Sequence, residues 1–214
     1  MTDLQTLWAD QAVPVILRST GTSPFGRKVR MAAKVLGLDA RITRQDADTL
    51  DPDDTLRQQN PLGKMPCLLI GDTAFYGSAV ILEMLDTIAG AGRLLPIAGT
   101  ARFRCLTRAT LADGITDAAL LMVYEARFRG HDKPAEPWLN HQRDKVLRAL
   151  AVFEEDLPDP APADLVAITL ACALGYLDWR QPVSWRPDHP RLADWLVEFA
   201  ATCPAFSQTE RTQK

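Results

Sequence analysis

Apolar and polar positions follow one rhythm up to about residue 90 and another beyond it. In the first stretch, short apolar runs alternate with segments of helical period. Pro14-Val15-Ile16-Leu17 is a compact apolar run bounded by a glycine-containing turn, which predicts a buried strand. Phe25, Val29, Ala32, Ala33 and Leu36 then recur at helical spacing, and Gly37 is placed to end that helix. Residues 40–44 predict a second strand. Residues 51–59 are polar, with acids near their start where a helix dipole favours them, and predict a helix. Residues 66–70 and 73–76, joined by Gly71-Asp72, predict an antiparallel hairpin. Ser78 is expected to cap a further helix whose inner face uses Ile81, Leu82, Leu85 and Ile88. The predicted order is βαβαββα.

After Gly90-Ala91-Gly92 and Pro96, which read as a link, the period is helical throughout. Residues 100–128 and 136–157 predict two amphipathic helices separated by a polar loop at 129–134. Pro158, Pro160 and Pro162 enforce an extended break. Residues 164–177 are apolar on all sides and predict a helix buried within a bundle. Pro190 opens a last helix with Leu192, Trp195, Leu196 and Phe199 as its inner stripe. The expected organisation is an α/β domain over residues 13–90 and an all-α domain over residues 98–214.

Composition narrows the function classes. A net charge of −3 gives no reason to expect nucleic acid or an anionic membrane as partner. The longest apolar stretch, 165–177, is too short to span a bilayer, and residues 1–13 lack the basic flank and apolar core of a signal peptide. Cys67, Cys105, Cys172 and Cys203 lie far apart, with no C-x-x-C pair, so neither a dithiol redox couple nor a cysteine zinc knuckle is indicated. The expected setting is cytoplasmic. His131, His141 and His189 lack metal-ligand spacing and are expected at the surface, and no metal site is expected. Cys67 reads as inert packing.

The candidate chemistry lies at Ser23-Pro24-Phe25. Ser23 is a favoured N-cap, and Pro24 suits the first helical position, where its missing N–H is no loss. A strand feeding a tight turn into this helix start is expected to leave several N–H groups unpaired, favouring an anion such as a thiolate. Capping alone and thiolate binding are both open for Ser23 on this pattern. For Met65-Pro66 an ordinary trans proline opening an edge strand is equally open.

These residues carry a resemblance. Ser23-Pro24-Phe25 with Arg27-Lys28-Val29-Arg30, then Asn60-Pro61-Leu62-Gly63-Lys64-Met65-Pro66, then Phe75-Tyr76-Gly77-Ser78, are similar in order and spacing to the glutathione S-transferase superfamily. The likeness covers all but the first dozen residues. Tyr124-Glu125-Ala126-Arg127 resembles an element of its bacterial members. The resemblance implies an α/β thioredoxin-like N-terminal domain followed by an all-α helical bundle. It implies glutathione as co-substrate, a small apolar electrophile as second substrate, a detoxification role and a homodimer.

Residue by residue, the resemblance implies that Ser23 donates its hydroxyl to the glutathione sulfur, with Phe25 beside it on the same helix turn. A hydrogen bond to the charged form favours that form, and the helix dipole adds to it. Serine at this position cannot form a mixed disulfide, which points to conjugation or isomerisation rather than reductase chemistry. Met65, before a cis Pro66, would pair its main chain with the peptide, and Lys64 could reach a carboxylate. Ser78 would receive the γ-glutamyl carboxylate at a helix start. Relatives carry an acid or glutamine before that serine, whereas here it is Gly77, so one charge-assisted bond to the γ-glutamyl amine is missing. That predicts roughly tenfold weaker binding or more, unless Asp113 or an acid of a second subunit substitutes. Tyr124 and Asp113, with Met122 and Leu121 as an apolar wall, are the expected border of a second-substrate pocket. Ala161 stands where the family's capping box has Ser or Thr; Pro162 is expected at the first helical position, with Asp164 reaching back. The alternative is a non-catalytic binding or regulatory protein on the same fold.

Overall fold

The structure is a computed structural model describing residues 3–129 and 135–211. His131 and most of the expected 129–134 loop lie outside the described residues. The chain divides into two compact units, Met1–Ala98 with Ser207–Lys214, and Gly99–Phe206.

The first unit is built on a four-stranded sheet. Its strands are β1 (Val15–Arg18), β2 (Thr43–Gln45), β3 (Cys67–Ile70) and β4 (Thr73–Tyr76), in spatial order β2-β1-β3-β4. β1 pairs parallel with β2 and antiparallel with β3, and β3 pairs antiparallel with β4. Its helices are α1 (Leu4–Ala9), α2 (Pro24–Leu36), α3 (Leu56–Gln59) and α4 (Ser78–Ile88). α2 and α4 pack together, burying Val29, Ala32, Ala33 and Leu36 from one and Ile81, Leu82 and Leu85 from the other. A smaller cluster joins Ala47, Leu56 and Cys67, with Met65, Leu69 and Ala74 packed against it. This is the expected thioredoxin-like arrangement.

Several boundaries differ from expectation. Residues 39–41 form a 3₁₀ turn, and the second strand starts only at Thr43. The helix expected over 51–59 is confined to Leu56–Gln59. Upstream, Asp48, Asp51 and Asp54 each accept the N–H two residues ahead, at 2.8, 2.9 and 2.7 Å. Such local bonds offer the backbone an alternative to the helix ladder. α1 was not foreseen in the sequence.

The second unit contains α5 (Gly99–Arg129), α6 (Glu136–Glu155), α7 (Leu165–Arg180) and α8 (Pro190–Thr202). A short α9 (Pro204–Gln208) follows at its border. α5 packs extensively on α6 and α7, and α7 is buried almost along its whole length, as its uniform apolarity predicted. Ala161-Pro162 is cis, and Pro162 does not open α7. Asp164 is the N-cap itself: its carboxylate accepts the Ala167 N–H at 2.8 Å. His189 is buried rather than exposed, its Nδ1 2.8 Å from the Trp185 carbonyl, while His141 is at the surface.

Candidate active site

The end of β1, the start of α2 and the turn before β3 converge. α2 begins as the sequence predicts, with Ser23 at the N-cap, Pro24 at the first position and Gly37 ending the helix at φ 72°. The Ser23 hydroxyl oxygen accepts the Gly26 N–H at 3.1 Å. Its own proton has no acceptor among the described residues, and the side chain is half-buried. The free amides at this helix start are fewer than expected. Pro24 has none, Gly26 donates to Ser23, and Arg27 donates to the Ser23 carbonyl at 2.9 Å. The Phe25 N–H remains, in a first turn with no acidic residue. Gly26 is required by a close approach, since a Cβ there would fall 1.8 Å from the Ser19 hydroxyl oxygen and 3.0 Å from its Cβ. Phe25 is half-buried, its ring 5.9 Å from the Lys28 ammonium.

Met65-Pro66 is cis. Continuing the register that sets Arg18 against Cys67 brings Thr20 beside Met65. The Thr20 N–H and hydroxyl both lie against the Met65 Sδ, at 3.3 and 3.5 Å. The Met65 main-chain N–H and C=O form no hydrogen bond among the described residues. The turn that presents them is tied by buried Asn60: its Nδ2 donates to the Lys64 carbonyl at 2.7 Å and its Oδ1 accepts the Leu62 N–H at 3.1 Å. Gly63 adopts φ 59° within that turn, and the Lys64 side chain is exposed.

On the other side of β3, Cys67 pairs with Tyr76, so the chain enters Gly77 and Ser78 at the end of the sheet where Pro66 leads into β3. Ser78 is not the cap. Gly77 is, at φ 87° and ψ 113°, with no side chain to hold the helix, and Ser78 is the first helical residue. The first intrahelical bond runs from the Ile81 N–H to the Gly77 carbonyl, which leaves the N–H groups of Ser78, Ala79 and Val80 without a helical partner. The Ser78 side chain is only 8% exposed, and its hydroxyl forms no hydrogen bond among the described residues.

Arg18 was not anticipated from the sequence. At 3% exposure it ends β1, its guanidinium bonded to Thr55, Gln59 and the Asp54 carboxylate at 2.8, 2.6 and 2.7 Å. Asp54 also accepts the N–H groups of Asp48 and Leu56, and these bonds with the Arg18 charge hold its carboxyl below the ordinary range. This cluster fixes the segment that leads to Asn60 and the cis proline. A charged residue closing an apolar run was its one visible sign. Cys67 is fully buried in the small cluster, and burial pushes its thiol up.

Asp113 and Tyr124 both lie on α5 in the second unit, roughly three turns apart on one side of the helix. Both are half-buried; Tyr124 packs edge-on to Phe128 and under the Arg127 guanidinium. Glu125 is buried and accepts from Arg129 Nε at 2.8 Å and the Ala135 N–H at 3.2 Å, a structural role. Met122 is buried and Leu121 exposed. Among the described residues no group of three or more His, Cys, Asp or Glu could hold a metal, and no helix is long and apolar enough to cross a membrane.

Residues 22–88 match the model of the glutathione S-transferase N-terminal domain, and residues 136–197 that of the C-terminal domain. The chain is 34% identical over 197 residues to the uncharacterized GST-like protein YibF of Escherichia coli (strain K12), covering 88% of this chain and 95% of that one. It is similar to a glutathione transferase family member from Pseudomonas fluorescens Pf-5 solved with bound glutathione, at 42% identity and a TM-score of 0.85. That match covers 93% of this chain and 100% of the other. A glutathione S-transferase from Methylobacillus flagellatus, also with glutathione bound, matches at 32% identity and a TM-score of 0.83, over 92% of this chain and 100% of that one.

Proposed function

Since this chain belongs to the glutathione S-transferase superfamily, we propose that it binds glutathione in its first unit and uses Ser23 to hold the sulfur as a thiolate for attack on a small apolar electrophile. The observation that carries this reading is the orientation of one hydroxyl. With its oxygen occupied by the Gly26 N–H at 3.1 Å, the Ser23 group keeps its proton to give to a sulfur. A hydrogen bond donated to the anion favours the anion over the thiol, whose ordinary pKa of about 8.5 leaves it mostly protonated at neutral pH. The Phe25 N–H and the helix dipole act in the same sense.

The rest of the first unit offers complementary groups to the tripeptide. The main chain of Met65 pairs with the cysteinyl unit, in the manner of an added strand. The γ-glutamyl carboxylate takes the Ser78 hydroxyl and the free amides of the α4 first turn. Pro66 and Phe25 form the apolar border, and Lys64 reaches a glutathione carboxylate from its exposed position. Two structures at 42% and 32% identity, both solved with glutathione, support the same ligand here. In the reaction the thiol proton leaves to solvent. The sulfur lone pair forms the new S–C bond, and the displaced group departs with the bonding electrons. Asp113 and Tyr124 are proposed to border the second-substrate pocket. A detoxifying role as a cytoplasmic homodimer completes the proposal.

A binding or regulatory protein on this fold is the second reading, and Gly77, which supplies no side-chain acceptor, is the observation that favours it. Titration calorimetry separates the cases in two steps. Saturable heat with millimolar glutathione is expected, followed by thioether formation with an activated aryl halide. Heat without turnover supports the regulatory reading, and no heat at all removes glutathione as the ligand.

A further inference from the structure

The γ-glutamyl end of glutathione carries a carboxylate and an ammonium on one carbon. On the reading above, which this inference rests on, the carboxylate sits on the first turn of α4, beside a Ser78 hydroxyl that is 8% exposed and without a hydrogen bond among the described residues. The ammonium then lies at the N-cap, where Gly77 has no side chain. The space there is open: a Cβ on Gly77 would meet only Val80 Cγ2, at 3.8 Å, and Gly77, Ala79 and Val80 are all exposed. The first turn of α4 has no acidic residue. Three carboxylates elsewhere in this unit are engaged with other partners. Asp54 holds Arg18, Asp39 holds Lys34, and Asp86 accepts the N–H groups of Gly92, Arg93 and Leu94.

An ammonium in that place keeps its water, gains no counter-charge and faces the positive end of the helix dipole. We infer that the site reads the γ-glutamyl carboxylate and ignores the amine, so that its thiol substrates include peptides of this type in which the amine is absent.

The test is calorimetry on the wild-type chain with three thiol peptides: glutathione, glutaryl-cysteinyl-glycine, which lacks the amine, and 4-aminobutyryl-cysteinyl-glycine, which lacks the carboxylate. The amine-free peptide is expected to bind with a Kd within about threefold of that of glutathione, or tighter by up to about fivefold. The carboxylate-free peptide is expected to bind at least about tenfold more weakly. An amine-free peptide weaker by more than about threefold overturns the inference while leaving glutathione binding intact. Such a result would mean that an acid from elsewhere, Asp113 or one of a second copy, takes the amine. Retained affinity without the carboxylate overturns it as well. Heat from none of the three overturns the glutathione reading itself, and the inference with it.

Discussion

Ser23 was legible in the sequence as a cap and open as a catalyst, because one hydroxyl can accept from the helix and still donate. Capping fixes where the oxygen is; the proton left over is the one proposed to act on sulfur. The same turn depends on Gly26, whose lack of a side chain lets α2 approach buried Ser19. Gly26→Ala is expected to destabilise the chain by about 1–3 kcal/mol through overpacking. It should also shift the helix start enough to weaken the thiolate effect. Denaturant unfolding and a thiol titration check the two halves separately; a variant as stable as the parent contradicts the close approach. Arg18 was not legible, because nothing local in a sequence tells a buried guanidinium from a solvated one at a strand end. Its partners, Asp54, Thr55 and Gln59, lie more than thirty residues away along the chain.

At the scale of elements, periodicity predicted those strands and helices whose buried face is long enough to repeat. α2, α4, α5, α6 and α8 were legible on that basis, and α7 by its uniform apolarity. It failed where local hydrogen bonds or exposure decide. β2 is exposed at all three positions, so the strand was foreseen but its start was set three residues early. The aspartates at 48, 51 and 54 turn the backbone where a polar helix was expected. Ser78 was displaced from cap to first helical residue because Gly77 alone among the two fits φ 87°. The start of α7 moved likewise, from a box opened at Ala161 to a single cap at Asp164. Asp164→Ala is therefore expected to cost about 1 kcal/mol, read as a shift in denaturant midpoint, whereas Asp164→Asn should retain most of the stability. Equal loss in both variants would place the role of Asp164 elsewhere than in its acceptor oxygen.

Across the whole molecule, two units of different architecture were foreseen from the change of rhythm near residue 90, and the family matches fall one in each. The C-terminal residues from Ser207 group with the first unit, where the Thr209 carbonyl accepts from Arg30 at 3.1 Å, a return that no local pattern signals. Asp54 and Asp39 both titrate below 3.8 in the folded chain, Asp54 held down chiefly by backbone N–H donors and Asp39 by Lys34. Each contributes stability that is fully present above 3.8 and disappears as pH falls through its folded value. Unfolding free energy is expected to drop steeply on acidification below about pH 4, and Asp54→Asn should flatten part of that fall; an unchanged acid limb in the variant would contradict the assignment.

The central claim is that a serine hydroxyl lowers the pKa of bound glutathione, and an ultraviolet titration of the thiolate in the complex tests it directly. The bound thiol should ionise below its ordinary value of about 8.5 in the parent chain. In Ser23→Ala it should move back up, while Kd stays within about threefold. A bound pKa that is the same with and without that hydroxyl would remove Ser23 from the chemistry.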